Sequence, residues 1–316
     1  MPSRWKIDRP MSRAAFEARF PDEAACGRHL LERRWPDGFV CPRTANSGQG
    51  TKGWRLGAAR PTFQCAGCDK QTSVTAGTVM HRSHLPLRTW FLAVHIVTSH
   101  SNGISALQLQ AQLGLGSYET AWFLLQRLRR AMVDPERQAL QDLVEVDEAE
   151  IPCRSKTDPL AGGRGRSHVG KMLLAGAVEL APEGQPRRIR LAPIAAFSAA
   201  TLTASVTRAA APGATVITDG WRGYAGLDGH DHRPKTVGTM AAHVLMKGVH
   251  RVFANLKRWA LGTFHGLRRA HLQRYLDEFV FRWNRRRHTK AAFNTLLGIG
   301  ARLQPATYRD FVDQRA

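Results

Sequence analysis

Two aspartates stand where strands could present them to a divalent cation. Asp147 lies in Leu143-Val144-Glu145-Val146-Asp147-Glu148. Strand alternation puts Leu143, Glu145 and Asp147 on one face and Val144, Val146 and Glu148 on the other. A carboxylate buried in such a strand is costly unless it is paired or binds a cation. Asp219 ends the apolar run Ala214-Thr215-Val216-Ile217-Thr218 and precedes Gly220-Trp221. An acid at the carboxyl end of a core strand, beside a glycine, is well placed to line a crevice. Each aspartate alone also has a plain structural account: Asp219-Gly220 as a turn, Asp147 as a cap or the partner of an arginine. Together they can hold Mg²⁺ (or Mn²⁺), and the chemistry such a pair supports is two-metal phosphoryl transfer, which needs no covalent nucleophile from the protein.

The rest of the chain supplies a context for that chemistry. Its 316 residues hold 46 Lys and Arg against 25 Asp and Glu, a formal net charge of +21. Such an excess calls for a polyanionic partner, usually nucleic acid; solubility or acidic lipid is the bland alternative. At 43% hydrophobic residues the chain can bury a proper core. No run of eighteen apolar residues predicts a membrane span, and Met1 to Pro10 lacks the apolar stretch of a signal peptide. Five cysteines, an odd number, argue against a disulfide framework and for a cytoplasmic protein.

Several elements must position the aspartates. Leu143 to Ile151, Met172 to Leu180, Arg188 to Ile194 and Thr215 to Thr218 read as strands, with a helix over Ser198 to Ala210. From His243 onward the pattern is helical and basic. Positions 250 to 290 hold eleven Lys or Arg against two acids, Asp277 and Glu278, and Leu272, Tyr275, Leu276, Phe279 and Trp283 form one apolar stripe. A basic helical surface beside an acidic metal site suits a DNA backbone. The basic, glycine-rich stretch Arg154 to Arg166 reads either as a phosphate-tracking loop or as a floppy insertion.

Upstream, Arg13 to Leu31 reads as one helix, and Leu87 to Ser99 as another whose face carries Leu87, Trp90, Phe91, Val94 and Val97. Ile104 to Leu113, the turn Gly114-Leu115-Gly116 and Ser117 to Met132 match a helix-turn-helix unit, with Ser117 as N-cap. Trp122, Leu125 and Leu128 face inward there, and Arg127, Arg129 and Arg130 are expected outside. An ordinary helical hairpin is the other reading. Between these helices, Gly38 to Gly77 is rich in Gly, Thr and Cys and has strand-like pieces. Cys41 and Cys65-Ala66-Gly67-Cys68 look like part of a zinc ribbon, but Thr44 stands where the first knuckle needs its second thiolate. Cys26, His29, His81 and His84 are candidate fourth ligands; a ribbon without Zn²⁺ is the alternative.

These pieces resemble the insertion-sequence transposases that carry a zinc-ribbon head and a DDE, ribonuclease H-like catalytic domain. The matching residues are Gln64 to Cys68 with Gln71-Thr72-Ser73-Val74-Thr75-Ala76-Gly77-Thr78, then Val146-Asp147-Glu148, then Thr218-Asp219-Gly220-Trp221-Arg222-Gly223-Tyr224, and the long block His250 to Arg286. The resemblance implies a multidomain α+β and α/β protein. Its expected parts are a helix plus zinc-ribbon-like domain over 12–80, a helical helix-turn-helix region over 84–135, a ribonuclease H-like domain of mixed sheet and flanking helices over 140–300, and a tail over 301–316. It also implies a third metal ligand, usually Glu, seven residues before a Lys. Counting back from Lys257 gives His250, on the same helix face two turns away. Asn255 is the rival, since an amide oxygen suits Mg²⁺ better. Lys257 would contact the strand near the scissile phosphate. The implied partners are double-stranded DNA, as element ends and target, and further copies of this chain in synapsis; the implied location is the nucleoid. A domesticated or inactive DNA-binding derivative is the alternative that the missing Glu and the missing thiolate suggest. A ribonuclease of the same fold is a third, which the N-terminal DNA-reading modules speak against.

Overall fold

The computed structural model describes residues 8–44, 52–57, 61–153, 170–235 and 245–312. The stretch 154–166 lies outside them. The chain forms two compact units, one of residues 1–134 with 287–312, the other mainly of residues 135–286.

In the first unit the sequence writes its helix boundaries in capping residues. Helix α1 (Arg13–Arg19) starts on Ser12, and α2 (Glu23–Arg34) on Asp22, whose carboxylate accepts the Ala25 N–H at 2.7 Å. The single helix expected over this stretch is therefore two. Pro21 lacks the N–H that continuation requires, and Asp22 restarts the chain as a cap. Helix α3 (Leu87–Ser99) buries Leu87, Trp90, Phe91, Val94 and Val97, as its periodicity predicts. Helix α4 (Ala106–Leu113) carries a Ser105–Gln108 capping box and ends on Gly114 at φ 63°; α5 (Tyr118–Arg130) begins on Ser117. The small sheet β1 (Gly53–Arg55), β2 (Thr62–Cys65) and β3 (Gln71–Ser73) is antiparallel in that order.

Helix α5 differs from the expected basic outer face. Arg127 and Arg129 are buried. Arg127 donates to the carbonyls of Val79, His81 and Ala306 and stacks over Phe123, so it ties chain segments together instead of facing solvent. The exposed part of the hairpin runs from Leu107 of α4, 67% exposed, through the glycine turn to Tyr118 at the start of α5, 47% exposed.

The last helices of the first unit come from the end of the chain. Helix α6 (Thr289–Arg302) is capped by Asp8, which accepts the N–H groups of Thr289 and Lys290 at 2.8 and 2.9 Å. Its Phe293 packs into Phe16, Phe20 and Phe91. The domain boundary expected at 300 thus falls at 286, and 301–312 is no tail: Phe311 is buried against Phe123. The second unit is an excursion from a fold that the termini close jointly. Phe293→Ala should cost this unit about 3–5 kcal/mol, read as an earlier urea midpoint, because it empties an aromatic cluster.

The second unit is a five-stranded sheet of order β6-β5-β4-β7-β8. Strands β4 (Leu143–Pro152), β5 (Lys171–Leu180) and β6 (Pro186–Ile194) are antiparallel neighbours; β7 (Thr215–Thr218) and β8 (Asp231–Pro234) run parallel to β4. Strand β8, Asp-His-Arg-Pro, is short, polar and at the edge, where Pro is tolerated, and periodicity does not reveal it. One face packs on α7 (Ala199–Ala209), through Leu202 and Val206 against Val144, Val146 and Val216. The other packs on α8 (Lys247–Phe264) and α9 (Leu272–Arg285), through Val249, Val252, Phe253, Leu276 and Phe279. Among the described residues no helix is long and apolar enough to cross a membrane.

Candidate active site

Strand β4 is central, and its alternation decides what each acid meets. Glu145 and Asp147 point to the α8 face, while Val144 and Val146 pack beneath α7. The parallel register pairs Glu145 with Ile217. Carried two residues on, it brings Asp219 level with Asp147, just past the end of β7 (from Thr215 to Thr218). Asp219 is fixed there by a turn, its Oδ1 accepting the Trp221 N–H at 2.9 Å.

Helix α8 reaches this spot because two glycines let it come close. Gly176 pairs with Asp147, and a Cβ there would stand 2.6 Å from the Phe253 ring. Gly248 sits on Glu145, where a Cβ would meet Oε2 at 2.7 Å. Helix α8 has no side-chain cap of its own at Met246. Glu145 supplies one from the strand, accepting the Val249 N–H at 2.9 Å. The strand that carries Asp147 therefore also holds the start of the helix that carries His250. His250 Nε2 lies 3.4 Å from Asp147 Oδ2. A cleft of roughly 570 Å³ opens beside them, lined by Glu148, His250, Phe253, Lys257 and Trp221 among others.

Burial and the neighbouring charges raise acids of the site. Burial pushes the Asp147 carboxyl up to about 7, with the negative charges of Glu148, Asp219 and Glu145 adding to it and the Glu148 N–H opposing. Burial also raises Glu145, against the N–H groups of Val249 and Gly248. Buried acids that repel one another are a donor set a hard divalent cation would relieve.

Asn255 is not brought to this place. Its amide donates to the Arg251 carbonyl at 2.9 Å and accepts from Arg258 at 3.1 Å, along the outer surface of its own helix. Two residues at the site escaped the sequence. Glu148 lines the cleft, and Tyr224, fully buried, donates to its Oε2 at 2.5 Å. Both lie inside the blocks that carry the resemblance, but nothing local says that they touch.

In the first unit Cys41, Cys65 and Cys68 converge, all three sulfurs lying within 4.8 Å of one another. None of the four candidate fourth ligands joins them. Cys26 is buried in α2, His29 packs edge-on to Phe20 and Phe91, and His81 Nδ1 accepts the Gly77 N–H.

Residues 139–284 match an ISXO2-like transposase domain, and residues 21–71 a transposase zinc-ribbon domain. Over 294 residues the chain is 29% identical to an uncharacterized protein in transposable element ISH50 of Halobacterium salinarum, covering 88% of this chain and 97% of that protein.

Proposed function

We infer that this chain, which belongs to the insertion-sequence transposases that join a zinc-ribbon domain to a DDE domain, cuts the ends of its element and joins them to target DNA. The observation that carries the reading is the 3.4 Å approach of His250 to Asp147, whose carboxyl also feels the charge of Asp219, beside a cleft that His250 and Lys257 line. The sheet order, with two parallel strands beside an antiparallel three, supports a ribonuclease H-like reading of the catalytic unit.

Bound divalent metal supplies activation of the attacking oxygen and stabilisation of the leaving one. Asp147 and Asp219 would hold it as carboxylate ligands, with His250 as the third. Lys257, on the same cleft, would receive a phosphate of the strand being cut. Glu148, fixed by Tyr224, would keep a further negative charge at the metal's edge. The ribbon and the exposed start of α5 at Tyr118 are the parts suited to reading the terminal inverted repeats, and recognition helices do contact bases from their N-terminal residues. Pairing two ends would bring further copies of the chain together in synapsis. Action on DNA places the protein with the nucleoid in the cytoplasm.

The test is strand transfer with DNA carrying the element's ends in Mg²⁺ or Mn²⁺. Joined product is expected; tight end binding with no cleavage in either metal overturns the reading. Because imidazole suits Mn²⁺ better than Mg²⁺, the wild-type protein should favour Mn²⁺. His250→Glu should shift that preference toward Mg²⁺, roughly tenfold in the rate ratio. An unchanged ratio would remove His250 from the ligand set.

A further inference from the structure

The three-thiolate cluster fits zinc, but not in the four-thiolate form of an intact ribbon. Cys41 and Cys68 sulfurs stand 3.7 Å apart. Tetrahedral zinc with Zn–S bonds of about 2.3 Å has sulfur–sulfur edges of about 3.8 Å, so the spacing is that of a metal site. It is too wide for a disulfide bond, and all three thiols are free.

Beside the three sulfurs stands Thr44, whose Oγ1 lies 3.9 Å from Cys65 Sγ. A neutral hydroxyl is a poor zinc ligand, since zinc sites are built from thiolate, imidazole and carboxylate. No described His, Cys, Asp or Glu joins the three sulfurs. The neighbouring stretches 45–51 and 58–60, outside the described residues, contain none of these four residue types in sequence. The chain therefore brings three strong ligands and one weak hydrogen-bonding group to a metal that takes four. Cys68 and Thr44 are each half-buried, so the corner is within reach of solvent.

We propose that the ribbon binds zinc through Cys41, Cys65 and Cys68 alone, with a water beside Thr44 in the fourth position, and that this position exchanges for a small external thiolate. Three protein ligands plus water is the pattern of an open zinc site, not of a closed structural one. Sulfur donors already make the metal soft, so a thiolate is the favoured incoming ligand. In the exchange the Zn–O bond breaks, water leaves, and a Zn–S bond forms; the thiol's proton passes to buffer. No oxidation is involved.

The proposal rests on the zinc-ribbon family match but not on strand cutting, and its readouts use neither DNA nor Mg²⁺. Full-length protein is loaded with Co²⁺ in place of zinc, and its spectrum is recorded during titration with 2-mercaptoethanol. The expected result is a three-thiolate spectrum whose sulfur-to-cobalt band grows and whose visible bands shift as thiol is added. Thr44→Cys should give the four-thiolate spectrum at the outset, show no response to thiol, and lose zinc to a chelator at least about tenfold more slowly. A wild-type spectrum that ignores thiol overturns the proposal, as does a wild-type protein that binds neither zinc nor cobalt. The titration on unaltered protein stands whether or not the variant folds.

Discussion

Protein carrying Asp147→Asn is expected to bind element-end DNA as the parent does and to cut it at least about a thousandfold more slowly, which corresponds to about 4 kcal/mol of lost transition-state stabilisation. The substitution keeps the shape of the side chain and the oxygen that accepts the Glu148 N–H at 2.9 Å. What it removes is one negative charge from the group of acids within β4 and just past β7. Asp219→Asn should do the same from the other strand. The two losses should not add, because both residues would serve one metal-binding unit. The assay is single-turnover nicking of labelled end DNA, with binding followed separately by gel shift. Retained cutting in either variant would place the chemistry elsewhere on the molecule.

The second large effect is on stability, and it has the opposite sign. In the metal-free fold the Asp147 carboxyl is pushed from 3.8 up to about 7, chiefly by burial. Between those two values the folded protein keeps a proton that the unfolded chain has already released. Folding stability therefore falls as pH rises through this window; the penalty is absent below it and complete above it. The rise from 3.8 to about 7 corresponds to about 4 kcal/mol. Asp147→Asn cannot lose a proton, so without metal it should be more stable than the parent at pH 8 and equal to it at pH 4. Added Mn²⁺ should stabilise the parent at pH 8 and the variant far less, since a ligand that binds only the native state shifts unfolding by mass action. Thermal melts with and without chelator test both statements. A parent that melts identically at both pH values, with no response to metal, would contradict them.

The placement of the two aspartates, one within β4 and one just past β7, is legible in the sequence because strand alternation and an acid–glycine ending are local signals. His250 was not readable in that way. Its candidacy came from its spacing to Lys257 within a recognisable block, and the structure adds the 3.4 Å approach to Asp147 and the turning away of Asn255. Glu148 and Tyr224 are 76 residues apart in sequence, so their contact belongs to tertiary packing and leaves no trace in either segment.

Helix α5 taught the reverse lesson. Arg127 and Arg129 look like an outer basic face by composition, yet both are buried; Arg127 is accommodated because one guanidinium can satisfy several backbone carbonyls at once. Helix periodicity also found α6 without saying what it packs against. Phe293 joins Phe16, Phe20 and Phe91 across most of the chain, so the domain boundary moved to 286. The strand Asp231–Pro234 was invisible because an edge strand this polar has no apolar alternation to detect.

The most direct measurement of the central claim is the anomalous scattering of Mn²⁺ in crystals of the full-length protein bound to element-end DNA. A peak is expected between the Asp147 and Asp219 carboxylates, about 2.2 Å from an oxygen of each, with the His250 ring turned toward it. A saturated crystal with manganese at other sites and none between these two aspartates would contradict it.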